Sequence, residues 1–346
     1  MPGSTPRFRL ASAVVVAAAL LTAVTGCTSG DSDTGADGGG DQFVLKVTDP
    51  GNAGPLAVGK RDGTFDKALA PLGATIEWVN STPGFSSNLK LFNTGQLDVS
   101  GGAYSPVVGA SSKNVGVKII AVADPVGKDQ NGILVTKDSG ITDVKGLVGK
   151  RIAVNPAAKG EYITLKALQQ AGIPFDRVER VPLQQADAGS AFSTGQVDAW
   201  ASFNEPYQEA KAAGGVEIAT EESIGSVDNT IVAFRTEVLE ERPDVADVYL
   251  KTLQQLTDQQ RENPDDYENV FEKAGPRALS GDRLTRALAL GADAATPRYP
   301  TAKDAEDLES VSALFVEAGV IQKPVTAEDV FFDLPAQLQK YQSGQK

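Results

Sequence analysis

A chain of 346 residues with 41% hydrophobic residues has room for about two domains and enough apolar material for a sizeable core, which excludes a wholly disordered protein. Its 32 Lys+Arg against 45 Asp+Glu give a net charge of −13, a field that repels phosphate backbones, so no nucleic-acid partner is expected. The absence of histidine removes the usual general base near neutral pH, the Ser-His and Cys-His nucleophile pairs and the commonest zinc ligand, so no catalytic residues, cofactor or metal are expected.

Arg7 and Arg9 open the chain, and fifteen uncharged residues rich in Ala, Val and Leu follow from Leu10 to Val24, the organisation of a secretory signal. That run is shorter than the ~20 residues needed to cross a bilayer, which favours a removed segment over a permanent membrane helix. Cys27 is the one cysteine and cannot close an internal disulfide. Val24-Thr25-Gly26-Cys27 resembles the lipobox of bacterial lipoproteins, with valine where leucine usually stands. The resemblance implies that residues 1–26 are a signal peptide and that Cys27 receives a diacylglycerol. Residues 27–42, with four Asp and almost nothing apolar after the cysteine, then form a flexible tether. Two acyl chains anchor a protein firmly, so the body is expected to work on the extracytoplasmic face of the cell membrane.

From Phe43 onward, β-rich runs alternate with helical ones, which predicts an α/β fold with mainly parallel strands. Phe43–Val47 reads as a strand, Asp49–Gly54 as a loop and Pro55–Ala70 as a helix opened by proline. Further strands are predicted at 75–79, 98–100, 117–123, 133–136, 151–154, 178–181, 198–201 and 231–234. Leu91-Phe92-Asn93-Thr94-Gly95-Gln96-Leu97-Asp98 recurs one hundred residues later as Ala191-Phe192-Ser193-Thr194-Gly195-Gln196-Val197-Asp198. In each copy a helix would end at a left-handed glycine before a strand begins. The stretch from Val47 through Pro50 and Gly54 is echoed from Ala153 through Pro156 and Gly160. Two echoes in the same order predict two related lobes. After Thr236 helices are predicted at 243–261, 265–274, 282–290 and 302–318. The simplest organisation gives residues 43–130 and 226–346 to lobe 1 and 131–225 to lobe 2, with crossings near 125–132 and 222–230.

Asp49-Pro50-Gly51-Asn52-Ala53-Gly54-Pro55-Leu56-Ala57 resembles the first strand-helix junction of solute-binding proteins of ABC importers, in the branch that serves aliphatic sulfonates, taurine, nitrate and thiamine-precursor pyrimidines. Thr94–Asp98, Asn131–Val135, Val144–Val154 and Gly195–Trp200 agree in order, so the resemblance covers about residues 43–270. It implies a two-lobed periplasmic-binding-protein-like fold (type II) with a helical C-terminal extension, acting as a monomer that closes on a small solute and delivers it to an ABC permease.

Open α/β sheets bind ligands beyond the carboxyl ends of their strands, where helix-start N–H groups attract anionic oxygens. The turn Gly51, Asn52, Ala53 is therefore a candidate contact, against the plainer reading of a bare turn. Gly84, Phe85 and Ser86 form a second, against a helix cap with Phe85 in the core. Ala103, Tyr104 and Ser105, after two glycines that allow close backbone approach, form a third. In the second lobe the resemblance points to Lys159, Gly160 and Tyr162, while Glu161 reads more simply as compensation of a helix dipole. Trp200 reads equally as core or ligand platform. Asn204 and Glu205 follow it, and Glu205 is a candidate to receive a cationic or hydroxyl group of the ligand. Asp228 and Asn229 resemble a polar pair that the family places near the cleft. Acids beside an anion seat favour a ligand with both an anionic and a cationic end, as in an aminosulfonate. An enzyme is disfavoured by the missing histidine. An interaction lipoprotein that grips another protein by the same cleft or by its helical tail is the second rival.

Overall fold

The computed structural model describes residues 42–82 and 84–344. The signal segment, Cys27 and nearly all of the tether lie outside them.

Strands β1 (Phe43–Thr48), β2 (Ala74–Val79), β3 (Val99–Ala103) and β4 (Val117–Ala123) build a first sheet, which a later strand joins. Between them run α1 (Gly54–Asp62), α2 (Thr64–Leu69), α3 (Leu89–Asn93) and α4 (Tyr104–Ser111). Alternation in β1 sends Leu45 and Val47 into the core. The helix predicted over 55–70 is two helices, because Gly63 at φ +61° donates back to Gly59 and Lys60 and cannot continue an α-helix.

The chain then passes to a second sheet made of β5 (Asn131–Val135), β6 (Arg151–Val154), β7 (Glu179–Pro182), β8 (Ala199–Phe203) and β9 (Val216–Thr220). Its helices are α5 (Lys159–Gln170), α6 (Gln185–Ser193) and α7 (Asn204–Ala212). A return to the first sheet follows as β10 (Thr230–Arg235). The strand orders are β2-β1-β3-β10-β4 and β7-β6-β8-β5-β9. In each sheet one strand, β10 or β5, runs antiparallel to both its neighbours. The two orders superimpose, β1 on β6 and β3 on β8. Strand β9 lies outside the predicted strands, although its β-branched Val216, Ile218 and Thr220 alternate; it is a short edge strand with Val216 and Glu217 exposed.

The hundred-residue echo is matched in its backbone turn and hydrogen bonds. Gly95 and Gly195 have φ of +63° and +72°. Gln96 and Gln196 N–H groups donate at 2.8 Å to Leu91 and Ala191. Asp98 and Asp198 carboxylates accept from the backbone N–H of Lys46 and Arg151, at 3.0 and 2.8 Å, and so tie to the neighbouring strand, within β1 in the first copy and at the start of β6 in the second.

The tail contains α8 (Thr236–Glu241), α9 (Pro243–Glu262), α10 (Gly281–Ala292), α11 (Ala302–Glu317), α12 (Ala327–Val330) and α13 (Leu334–Gln342). The helix predicted over 265–274 is a single 3-10 turn, Pro264–Tyr267, followed by a loop, because Asn269 takes φ +52° and its side chain bonds the backbone of Leu279. Val245, Tyr249, Leu250 and Leu253 of α9 share a core with Leu45, Val47, Val99 and Phe234 of the first sheet. Leu308 and Phe315 of α11 share another with Tyr104 and Val107 of α4 and Ile163 of α5. Helix α11 thus packs against both halves. Phe315 is fully buried there, and its truncation to alanine would cost about 3–5 kcal/mol.

Candidate functional site: the cleft between the sheets

The carboxyl ends of the parallel strands in the two halves face one another, so the loops that follow them meet. From the first half comes the 3-10 turn Phe85–Asn88, set by the Asn88 side chain, which donates to Thr82 O at 2.7 Å and Gly84 O at 3.1 Å. From the second come Asn155, after β6, and Gln184, ahead of α6. Ser86 and Ser87 hydroxyls donate to Gln184 Oε1 at 3.4 and 3.2 Å, and Asn155 Nδ2 donates to Ser86 Oγ at 3.4 Å. Bonds this long are weak. A ligand oxygen could replace them with shorter ones to the same hydroxyls and amides.

A charged centre lies beside this contact. Ser105 in the first turn of α4 donates its N–H and hydroxyl to the two Asp228 oxygens, at 2.8 and 2.6 Å. The anion seat expected at this helix start is therefore filled by the chain's own carboxylate. Lys159, opening α5, donates to Glu221 Oε1 at 2.9 Å and to Asp228 O at 3.3 Å, with Asp228 Oδ2 at 3.5 Å. Ser226 Oγ and Asn131 Nδ2 also donate to Glu221. Burial raises the Asp228 pKa, and the neighbouring Glu221 adds to the rise against the opposing pull of Lys159. Burial alone would lower the Lys159 pKa, but Glu221 and Asp228 outweigh it and hold the ammonium form. Through these bonds the returning segment 221–229 is fastened to both halves.

The remaining candidates divide by whether their polar groups are free. Gly51 is exposed at φ +71° and makes the turn. The Asn52 amide, expected to face a ligand, is instead saturated: it donates to Glu272 O and Arg277 O and accepts from the N–H groups of Phe271 and Glu272. Ala53 caps α1 without a side-chain bond, which leaves N–H groups of that first turn open. Gly84, at φ +97°, opens the serine turn. Phe85 is a core residue 5.2 Å from the ring of Phe92. Ala103 and Tyr104 are buried, and the Tyr104 hydroxyl donates to Asp304 at 2.9 Å, so the tyrosine braces the tail rather than the cleft. Gly160 is glycine for packing, since a Cβ there would lie 2.6 Å from Asn155 Oδ1 and 2.8 Å from Ala201 O. Tyr162 is buried and its hydroxyl accepts from Val227 N at 3.1 Å. Asn204 takes φ +59°, is exposed, and donates its N–H to Asn131 Oδ1 at 2.8 Å. Glu205, expected to receive a ligand cation, pairs with Arg283 of α10. Asn229 is buried beside Tyr104.

Glu161 follows its plainer reading: it accepts from Ala157 N at 2.6 Å and faces Arg180 at 3.2 Å. Trp200 packs on Phe192 under α6 and α7, where it floors a groove of about 690 Å³ on the sheet face away from α5.

Ser86, Ser105, Lys159 and Asp228 are thus brought to the junction of the halves, together with Ser87, Asn131, Asn155, Gln184 and Glu221, which the sequence reading missed. Asn155 had a signal, since it occupies in the second echo the place of Asp49 in the first. Gln184 and Glu221 had none.

Several known proteins are similar to this chain in sequence or fold. Residues 77–267, more than half the chain, match the family described as NMT1/THI5 like. A Bacillus subtilis (strain 168) protein provisionally named an aliphatic sulfonates-binding protein is 32% identical over 264 residues, 75% of this chain and 76% of its own. The taurine-binding periplasmic protein of Escherichia coli (strain K12) is 28% identical over 222 residues, 62% of this chain and 65% of its own. Among solved structures, the alkanesulfonate-binding protein SsuA from Xanthomonas axonopodis pv. citri, bound to MOPS, matches with TM-score 0.74 and 21% identity over 83% of this chain and 98% of that one. The same fold also carries the desulfurization enzyme DSZB, at TM-score 0.58 and 15% identity over 86% of this chain and 99% of that one. The two sheets with flanking helices are therefore a two-lobed periplasmic-binding-protein fold, and the chain belongs to the NMT1/THI5-like family.

Proposed function

We propose that the protein is the extracytoplasmic solute-binding component of an ABC importer. It captures a small solute with an anionic oxygen group between its lobes and delivers it to a permease. An aliphatic sulfonate or a taurine-like aminosulfonate is favoured. The observation that carries this reading is the facing pair Ser86/Ser87 and Asn155/Gln184, loose polar groups offered from two lobes at the carboxyl ends of their strands. The names of the relatives point the same way. Ser86, Ser87, Asn155, Gln184 and the open first turn of α1 at Ala53 are proposed to hold the anionic end. The carboxylates of Glu221 and Asp228, two against the one ammonium of Lys159, favour a solute whose far end is cationic or a donor.

The proposed lobes are residues 43–130 with 226–346, and 131–225. The protein is proposed to be non-enzymatic and monomeric, and to be held at the membrane by acylated Cys27 after loss of residues 1–26. Calorimetric titration with taurine, ethanesulfonate, nitrate and a hydroxymethylpyrimidine tests the solute class. Tightest binding of taurine or ethanesulfonate is expected; tightest binding of nitrate or of the pyrimidine overturns the sulfonate assignment. Mass spectrometry of the protein from membranes tests Cys27. A diacylglyceryl adduct is expected, and an unmodified full-length amino terminus refutes it.

A further inference from the structure

Helices α9 and α11 bury one whole face. Helix α10, although amphipathic, buries only Gly291, and its Leu284, Ala287, Leu288 and Leu290 are half-buried. It is rooted in the first lobe, where it packs on α9 and on the turn Pro264–Tyr267. The loop ahead of it is pinned by the saturated Asn52 amide and by Asn269, which accepts from Leu279 N at 2.7 Å and donates to Leu279 O at 2.9 Å.

One face of α10 meets the second lobe and the segment that leads into it. Arg283 pairs with Glu205 of α7 and lies 3.7 Å from Glu209. Arg286 pairs with Asp129 in the segment between β4 and β5, and its Nε is buried without an acceptor among the described residues. Leu290 sits so close to Gly127 in that segment that a Cβ there would lie 2.5 Å from it. The five charged side chains are 41–61% exposed. Pairs this exposed are weak singly and are screened by salt. Helix α11 also spans the lobes, but through buried Leu308 and Phe315, a contact that salt does not loosen.

We infer that α10 is an ionic clasp that holds the second lobe against the first across the segment 124–130, and that its strength sets how readily the cleft opens to solute. The solute half of this statement rests on the function proposed above; the lobe-holding half does not. Spin labels on unnatural amino acids at Gln96 and Gln196, both exposed, report lobe separation in the full chain without solute and without disturbing Cys27. Reversing the clasp with Arg283→Glu and Arg286→Glu is expected to raise the open population roughly three- to tenfold, as weak exposed pairs dictate. High salt should do the same to the native chain, and adding Glu205→Arg and Glu209→Arg to Arg283→Glu should reverse the effect.

If the double reversal folds poorly, Glu205→Gln with Glu209→Gln on α7 and Asp129→Asn in the linking segment removes the same pairs without altering α10. Unchanged label distances in the reversed and neutralised variants, or a change that the reciprocal swap fails to undo, overturn the clasp. With taurine as probe, the reversed variant should also release it roughly three- to tenfold faster. Failure of taurine to bind either protein would count against the sulfonate reading alone, since the distances decide the clasp independently.

Discussion

The two lobes are built to one plan and wired differently. In each, an aspartate after the helix-ending glycine accepts from a backbone N–H of the neighbouring strand. Asp98 is buried and bonds Arg235 at 2.8 Å, while Asp198 is a third exposed and lies 3.6 Å from Arg151. In each, the helix after the third strand is capped by an acceptor at or just before the antiparallel strand. That acceptor is the carboxylate of Asp228 in the first lobe and the amide of Asn131 in the second. In each, a left-handed residue follows the proline after the first strand, Gly51 facing open space and Ala157 facing Gly109 of α4. The same backbone device therefore serves as a loose turn in one lobe and as an interlobe contact in the other. What surrounds it decides its energetic weight.

The largest difference should appear at the caps. Asp228→Ala strips a buried lysine and a helix start of a charged partner and is expected to cost about 3–5 kcal/mol. Asn131→Ala, which removes a neutral cap and one donor to Glu221, should cost about 2 kcal/mol. Urea denaturation of both variants checks this, and equal losses would mean that the charge of the cap carries no weight. Next come the left-handed turns. In Gly109→Ala the new methyl would lie 2.1 Å from the Ala157 carbonyl, so a loss of about 3 kcal/mol or separation of the lobes in small-angle scattering is expected. Gly51→Ala, strained only by its positive φ, should cost about 1 kcal/mol. Third, Asp98→Ala is expected to cost about 2 kcal/mol and Asp198→Ala less than about 1 kcal/mol in the same titration, because only the first leaves buried groups unpaired.

The smallest effect belongs to the tail, which the second lobe lacks. Burial raises the Glu268 carboxyl from 4.5 to about 7. The folded chain then binds the extra proton between those values, so this group makes stability fall as pH rises from 4.5 toward 7, and flat above. Glu268→Gln should remove that slope and add about 1 kcal/mol at pH 8, allowing for partial solvent screening. Asp304 has the opposite sign. Burial works to raise its pKa, but bonds from Arg298, Thr301 and Tyr104 prevail and hold it well below its ordinary 3.8, so its contribution is present above that value and lost as pH falls below it. Thermal melts across pH would expose both slopes. A Glu268→Gln variant with the native pH profile would contradict the first.

Much of the fold was legible because its signals are local. β-branched runs gave nine of the ten strands among the described residues, proline and glycine gave helix starts and stops, and the hundred-residue echo gave the pairing of lobes. The failures were local too, each with a distant cause. Gly63 breaks a helix whose apolar spacing continues, Asn269 ends one by bonding ten residues ahead, and β9 is a short edge strand whose alternation spans only five residues. The site was legible only as a set of loops. Topology decides which loops meet, and strand order follows from hydrophobic pattern and connection length.

Which groups in those loops are free could not be read from the chain. Asn52 is satisfied by residues 219 to 225 positions away and Tyr104 by one 200 away. Glu205 is taken by an arginine in a helix that belongs to the tail. A hydrogen-bonding group reveals its type in the sequence, but its availability depends on every other donor and acceptor that folding brings near. The sequence by itself therefore determined two related lobes and the places where their loops would gather. The tertiary structure alone decided which of the gathered groups were still open to a solute.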